Sequence, residues 1–555
     1  MRMRLKLALI LIIAFLLRFY SISTIPSGFT PDEASFGYDA YSILKTGKDQ
    51  WGHPFPMVLE SFGDYKSPVY AYLSIPFVWI LGLTKLAVRL PNALLGTLAV
   101  LATYLLTLEI FKKIESERLN VQFPAITAAF LLAISPWHIM MSRGAFEANL
   151  TTFFLPLSLY FFIRGLKNSK YFIFASIIAG INIFTYHSAK LITPLIFIFA
   201  IVIFRKEIFK NINIYYYISG FVILLFSVLF LVSMRSGSAT RIYNVSIFKS
   251  SLMEAFSDRS KAINSGMDPV SARVIFNKYQ AGFRHFMVNY ISYFSPQYYF
   301  SQGPAEATYG MIPGRGVIYW FEFPLILSFV VFLIKNKPSK YLSVILFWFF
   351  VSPVPAAMSQ GPGFAANRAV IQIPSLQILM AAGFVYLYSF VSKLKIGRLL
   401  KIGYLGFASI IFAYFLIDYF LLSSQKVSSE MLYGRLEASL WLNDHADGRS
   451  VIVSKSLSEP HIYIAFADKF DPDIYQKSAS DWKYKELGLG WVDQIGTYRL
   501  GNYTFSSIDI PKYKKEKDIL LVGKPDEFPE YVNPKEVIKY PDGKPAIYVV
   551  ETPIL

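Results

Sequence analysis

Eleven stretches of this 555-residue chain are apolar over a length that crosses roughly 30 Å of hydrocarbon. They lie near residues 6–22, 89–111, 121–139, 148–165, 171–187, 189–204, 213–233, 317–335, 340–357, 369–391 and 402–423. In lipid every backbone N–H and C=O must find its partner inside the protein, so such runs fold as helices and the chain as a bundle. A composition of 54% hydrophobic and 17% aromatic residues agrees, being too apolar for an ordinary soluble enzyme.

The net charge of +17 sits in short clusters between the apolar runs rather than on one amphipathic face, which argues against a nucleic-acid partner. The N-terminus (Arg2, Arg4, Lys6) and the connectors Lys112-Lys113…Arg118, Arg164…Lys170, Arg205…Lys210, Lys335…Lys340 and Lys393…Lys401 fall between alternate spans, which marks them as cytoplasmic. Val69 to Leu83 would reverse that parity if it crossed, so it is expected to lie at the outer surface as an amphipathic or re-entrant helix. Arg18 inside the first run, with no small-residue cleavage site after it, makes that run a retained span rather than a signal peptide. With no cysteine, the chain has no disulfide framework or thiolate metal site.

This parity places residues 23–88, the turn Ser142 to Glu147, Tyr186-His187, a long loop (234–316), residues 358–368 and the tail (424–555) on the outer face. After Leu422 the membrane composition stops. Strand-like runs at Ser450–Ser454 and Ile547–Val550, with Pro and Gly turns between, predict a small soluble domain. The fold class expected is an all-α polytopic membrane protein of about 11 transmembrane helices plus outer juxtamembrane helices, with a C-terminal soluble α/β domain. Its domains are 1–423, catalytic, and 424–555, extracytoplasmic.

The outer face carries the chemistry. Asp32 and Glu33 follow the first span directly, with Thr30 as a fair N-cap and Pro31 in the first helical position. Ionisable groups at a membrane site are functional by default, although either acid alone is also what a helix N-terminus favours. A second acidic site, Arg143…Glu147, opens another span; as an i, i+4 pair it would contribute only a few tenths of a kcal/mol to a helix. Lys66, Arg89 and Arg368 run against the orientation rule, and a phosphate at the membrane surface would explain them. Asp64, Tyr65, Arg143, Tyr186 and His187 complete the cavity candidates. The six histidines match no zinc spacing, and no dinucleotide fingerprint, Walker loop or serine elbow stands in a suitable context.

In their order and spacing, Asp32-Glu33, Gly63-Asp64-Tyr65-Lys66-Ser67-Pro68, Ala87-Val88-Arg89-Leu90-Pro91-Asn92, Ser135-Pro136 leading to Ser142-Arg143…Glu147, and Asn367-Arg368 before Ile373-Pro374 resemble the GT-C glycosyltransferases. The resemblance is to bacterial members related to the protein O-mannosyltransferases and lipid A aminoarabinose transferases. It covers residues 1 to about 190 well and the later spans loosely. It implies inverting transfer of a sugar from a polyprenyl-phosphate donor to a lipid, glycan or protein hydroxyl, at the outer face of a bacterial plasma membrane. It implies Asp32 as base, with Lys66 and Arg368 holding the donor phosphate; the residues themselves add Glu33 and Glu147 as further catalytic acids and Arg89 as a third phosphate-binding cation. No cofactor is expected; a divalent cation held by Asp32 and Glu147 is the alternative. Glu147 stands where such enzymes usually show Asp, and Ser67 where a first Pro is common. The competing readings are a transporter or flippase of a lipid-linked or anionic substrate, and a scaffold that presents the tail, for which Asp32 would be replaceable.

Overall fold

The computed structural model describes residues 2–114, 121–210, 212–235, 246–304, 306–360 and 364–554. Each expected apolar run holds a helix: α1 (Arg2–Phe19), α4 (Lys85–Ile114), α5 (Gln122–Ile134), α7 (Thr151–Gly165), α8 (Tyr171–Ile183), α9 (His187–Ile203), α10 (Ile214–Ser233), α14 (Phe323–Lys335), α15 (Lys340–Val351), α16 (Ile373–Val391) and α17 (Gly397–Ile417). Among the described residues, five segments are both long and apolar enough to cross a membrane: Lys85–Lys113, Ile214–Ser233, Lys340–Ala357, Asn367–Val391 and Gly397–Val427. Around α4 the bundle closes through α1, α5 and α7, and α5 packs in turn on α16, which packs on α14.

One expected run is not a single helix. Residues 121–139 divide at Ser135, whose ψ of 123° is extended, into α5 and the short α6 (Pro136–Met141). Pro136 has no N–H to continue α5 and forces the residue before it out of the helical region. The Ser135 hydroxyl then caps α6. Arg18, buried among apolar helices, braces this break. It donates to the carbonyls of Ala133 (3.1 Å) and Leu132 (3.2 Å) and lies 2.7 Å from Nδ1 of His138.

The first loop carries α2 (Pro31–Thr46), a two-stranded ribbon of β1 (Leu59–Glu60) and β2 (Tyr65–Lys66), and α3 (Val69–Leu81), which packs on α2 and α4. The long loop contains α11 (Ile247–Asn264), α12 (Pro269–Ile275) and α13 (Lys278–Ser292). Its residues 236–245, like Arg118 and the Gly361–Gly363 part of the expected Arg368 motif, lie outside the described residues.

The tail folds as a six-stranded mixed sheet in the order β4-β5-β3-β6-β8-β7, built from β3 (Ser450–Ser454), β4 (Tyr498–Leu500), β5 (Tyr503–Ser506), β6 (Ile519–Gly523), β7 (Glu536–Lys539) and β8 (Pro545–Glu551). The centre, β5-β3-β6, is parallel, and its strands are nearly continuously buried as parallel strands require. Helices α18 (Arg435–His445), α19 (Pro460–Ala467) and α20 (Pro472–Trp482) connect and cover it. The sheet does not close its core alone. Tyr463, Phe466 and Tyr475 of the tail share one apolar cluster with Phe29, Phe36, Tyr38 and Tyr70 of the first loop. Gly63, with φ of +123°, passes so close to the tail that a Cβ there would stand 2.1 Å from the Gly490 carbonyl oxygen. Only glycine tolerates both that backbone and that approach.

Candidate active site

Thr30 and Pro31 begin α2 as expected. The Thr30 hydroxyl accepts from the Glu33 amide (3.3 Å), and Glu33 Oε2 accepts from the Thr30 amide (3.1 Å), a reciprocal capping box. Successive helical residues point about 100° apart, and the two acids accordingly go to different places.

Glu33 turns inward and is fully buried. It receives Arg89 Nε at 2.8 Å, Arg89 Nη2 at 3.1 Å and the Ala145 amide at 3.0 Å. Arg89 spends its remaining donors on the carbonyls of Ile22 (3.0 Å), Pro26 (3.0 Å) and Gly28 (2.9 Å). All five guanidinium N–H groups are thus engaged, and the side chain is 0% exposed. This corrects the expectation for both residues: Arg89 has no donor left for a phosphate, and Glu33 is held in a buried ion pair that fixes the entry to α2. Three residues on, Asn92 braces the opposite turn through Met141 O (2.7 Å) and Gly144 O (2.6 Å). The Arg89-Leu90-Pro91-Asn92 motif is therefore a two-sided clamp.

Arg143 is corrected in the same way. It donates to Leu17 O (2.8 Å), Tyr20 O (2.5 Å) and Ile25 O (3.0 Å), with its guanidinium over the rings of Tyr419 and Phe420, so it ties down the end of α1 where a cavity residue was expected.

Asp32 turns outward. Its side chain is 47% exposed and lies 2.6 Å from Nζ of Lys66, which is only 2% exposed. The ammonium stands over the rings of Phe36 (4.8 Å) and Phe62 (5.2 Å), whose faces favour a cation. The tight β1–β2 ribbon presents Lys66, and His187 Nε2 secures it by a contact of 3.0 Å to the Tyr65 carbonyl. The Asp64 carboxylate accepts from the Tyr65 amide (2.7 Å) and serves the turn.

The short helix Glu147–Leu150 packs against α3, α4 and the four-residue helix Ala366–Ala369 that carries Arg368. Ala366–Ala369 also touches α9, headed by His187. Arg368 donates to Ser359 Oγ (2.9 Å) and Gln360 O (2.8 Å) through one terminal nitrogen, and its side chain is half-buried.

A residue the sequence reading missed lies within electrostatic reach of Asp32, Glu147 and Tyr186. Tyr309, from the long loop, has its phenol pushed well above the usual range by burial and then by Tyr186, Asp32, Glu306 and Glu147. Its ring meets Phe146 edge-on at 5.3 Å. Sequence alone held only a faint sign of this, the glycines Gly303 and Gly310 on either side.

The tail adds Glu459, whose carboxyl is raised first by burial and then by Asp493 and Asp32. Trp491 Nε1 donates to that carboxyl, and the Glu459 amide donates to Asp493 (2.6 Å). Ser458 and Glu459 both adopt left-handed backbone, at φ of 61° and 50°, an arrangement that costs energy in non-glycine residues.

Comparison with known proteins places this architecture. The model of the dolichyl-phosphate-mannose-protein mannosyltransferase family matches residues 65–231. The solved structure of ArnT from Cupriavidus metallidurans in the apo state aligns over 98% of this chain and 97% of its own at a TM-score of 0.50 and 11% identity. The chain has the GT-C glycosyltransferase fold. A second similarity is to the Archaeoglobus fulgidus oligosaccharyltransferase tethered with an acceptor peptide, at 15% identity and a TM-score of 0.49, covering 99% of this chain and 74% of that one. Against the archaeal oligosaccharyltransferase AglB in complex with an inhibitory peptide and a dolichol-phosphate, the values are 15% and 0.47, and the chain spans 63% of that protein's length while 84% of this chain is covered. No curated protein matches the chain by sequence. The matched 65–231 region takes in Lys66, Glu147, Tyr186 and His187, while Asp32, Tyr309, Arg368 and Glu459 lie outside it.

Proposed function

We propose that this protein is an inverting glycosyltransferase that moves a hexosyl or pentosyl group from a polyprenyl-phosphate carrier to an acceptor hydroxyl, at the outer face of a bacterial plasma membrane. The observation that carries the reading is the Asp32–Lys66 pair, an accessible carboxylate against a buried ammonium at 2.6 Å. The family model adds support, since its description names a dolichyl-phosphate sugar as donor.

In the resting pair Lys66 neutralises Asp32. A donor phosphate arriving beside them competes for the ammonium, with Arg368 as the second cation, and leaves Asp32 able to accept a proton. The acceptor oxygen then attacks the anomeric carbon from the face opposite the phosphate. As that C–O bond forms, the bond from carbon to phosphate oxygen breaks, its electron pair leaves on the lipid phosphate, and the hydroxyl proton passes to Asp32. The protein has to position the reactants, remove one proton and stabilise charge that develops on phosphate. Glu147 and Tyr309 stand on the acceptor side in this scheme. A lipid monophosphate asks for only modest charge compensation, so Lys66 and Arg368 serve without a cofactor.

The test is sugar transfer in liposomes from radiolabelled polyprenyl-phosphate sugars to a mixture of hydroxyl acceptors. Asp32→Asn is expected to lose roughly 10²-fold or more of the rate with an unchanged unfolding midpoint. Equal transfer by both proteins would remove Asp32 from the mechanism.

A further inference from the structure

An apolar cleft of about 540 Å³ opens on the side of the bundle away from the acids, and the function described above does not use it. Its walls are α1 and α17, its floor is α5 and α16, and Phe321 and Leu325 close one end. At the other end stand Lys6 and Lys401. Among the described residues, no acidic side chain lines it.

Three features identify what fills it. The first is length. The wall from Lys401 to Phe412 runs along α17 for about 16 Å at 1.5 Å per residue, about half of a roughly 30 Å hydrocarbon core, which is the depth of one leaflet. The second is charge. Lys401 is held over the Tyr388 ring at 3.9 Å and donates to Ser392 Oγ (2.7 Å), while Lys6 is exposed, so both ammonium groups stay at the rim rather than folding into the cleft. In sequence, Arg4 lies two residues before Lys6, and Lys393, Lys395 and Arg398 lie within eight residues before Lys401, a clustering of the kind that collects anionic headgroups. The third is how little α17 packs. The segment Gly397–Val427 buries a small part of its surface in the bundle, and Leu405 at the cleft stays exposed. An apolar wall of this kind, with cations at one end only, matches one acyl chain and one phosphate.

We propose that the cleft is a binding site for an anionic glycerophospholipid of the leaflet on the basic face, its chain lying between α1 and α17 and its phosphate held by Lys6 and Lys401. The site is distinct from the donor site in position, because α1 runs from Lys6 at the cleft to the end that leads to Asp32, on the opposite face.

The experiment is native mass spectrometry of the full-length protein after exchange against equimolar vesicles of dioleoylphosphatidylglycerol and dioleoylphosphatidylcholine, with undecaprenyl phosphate added in a second arm. Wild type is expected to retain phosphatidylglycerol over phosphatidylcholine by roughly tenfold or more, at about fivefold for each lysine. The pair Lys6→Ala with Lys401→Ala loses that preference, Lys6→Arg with Lys401→Arg keeps it, and Ala408→Trp, which fills the cleft, reduces retention of both lipids. Equal retention of the two lipids by wild type, an intact preference in the alanine pair, or displacement of phosphatidylglycerol by undecaprenyl phosphate would each overturn the assignment.

Discussion

Replacing Arg89 by Met separates two roles that look alike in sequence. As a phosphate ligand, Arg89 would be expendable for folding, and its loss would appear as weaker donor binding. In the structure it makes two bonds to the buried Glu33 and three to the carbonyls of Ile22, Pro26 and Gly28. Removing one partner of a buried ion pair costs about 3–5 kcal/mol because the other charge is left uncompensated. Carbonyls that lose their donor add to this wherever water cannot reach them. Against a typical stability of about 5–15 kcal/mol, the loss is large. Arg89→Lys keeps the charge but offers one ammonium in place of a planar fork of five donors, so it is expected to fall between wild type and Met. The assay is the unfolding midpoint in detergent followed by tryptophan fluorescence, with hydrogen exchange of residues 22–33 as the local readout. Both variants should show a lower midpoint and faster exchange in that segment, while Asp32→Asn shows neither. An Arg89→Met protein with a wild-type midpoint and selectively weakened donor binding would refute the clamp and restore the phosphate-ligand reading.

Asp39 is buried beside Asp49, and burial first, then that neighbour, raises its carboxyl well above the usual range. Because the folded value lies above the unfolded one, the folded state keeps a proton the unfolded state has lost. That contribution to stability is full below about pH 4 and disappears as pH rises through the folded value. Asp39→Asn is therefore expected to raise the neutral-pH unfolding midpoint relative to wild type and to flatten its decline from acid to neutral; an unchanged pH profile would contradict this. Gly63→Ala puts a Cβ against the Gly490 carbonyl at a left-handed position and is expected to cost a few kcal/mol, seen as faster proteolysis between 424 and 555. Lys66→Met removes the buried ammonium 2.6 Å from Asp32 and is expected to raise the KM for donor in the liposome assay; an unchanged KM would remove Lys66 from donor binding.

Part of this protein is legible in one dimension. The eleven apolar runs, the alternation of basic connectors, the Thr30-Pro31 start of α2 and the strands at Ser450–Ser454 and Ile547–Val550 follow from solvation and backbone stereochemistry, which act over a few residues and leave a periodic trace. The break at Ser135-Pro136 was present in the same chemistry but hidden by the uniform apolarity of residues 121–139. The acids were legible as a site and not as individuals. Asp32 and Glu33 are adjacent, equally charged and equally suited to a helix N-terminus, and nothing local separates them. The partners that do, Lys66 on a ribbon and Arg89 on α4, arrive from 34 and 56 residues away.

The cations expected on the outer face show the same limit. Sequence marks Lys66, Arg89 and Arg368 as exceptions to the charge bias and Arg143 as a cavity candidate, and a bound phosphate is one physical reason for such an exception. Tertiary structure supplies another for Arg89, a set of backbone carbonyls at the turn into α2 that takes up its donors. It also decides that Tyr309 and Glu459, which lie in unmarked stretches, come within electrostatic reach of Asp32. Local patterns determine which segments are helix, strand or turn and which face is polar, because those depend on neighbours in the chain. Which acid faces solvent and which is clamped depends on groups brought together only by folding, and there the three-dimensional packing alone decides.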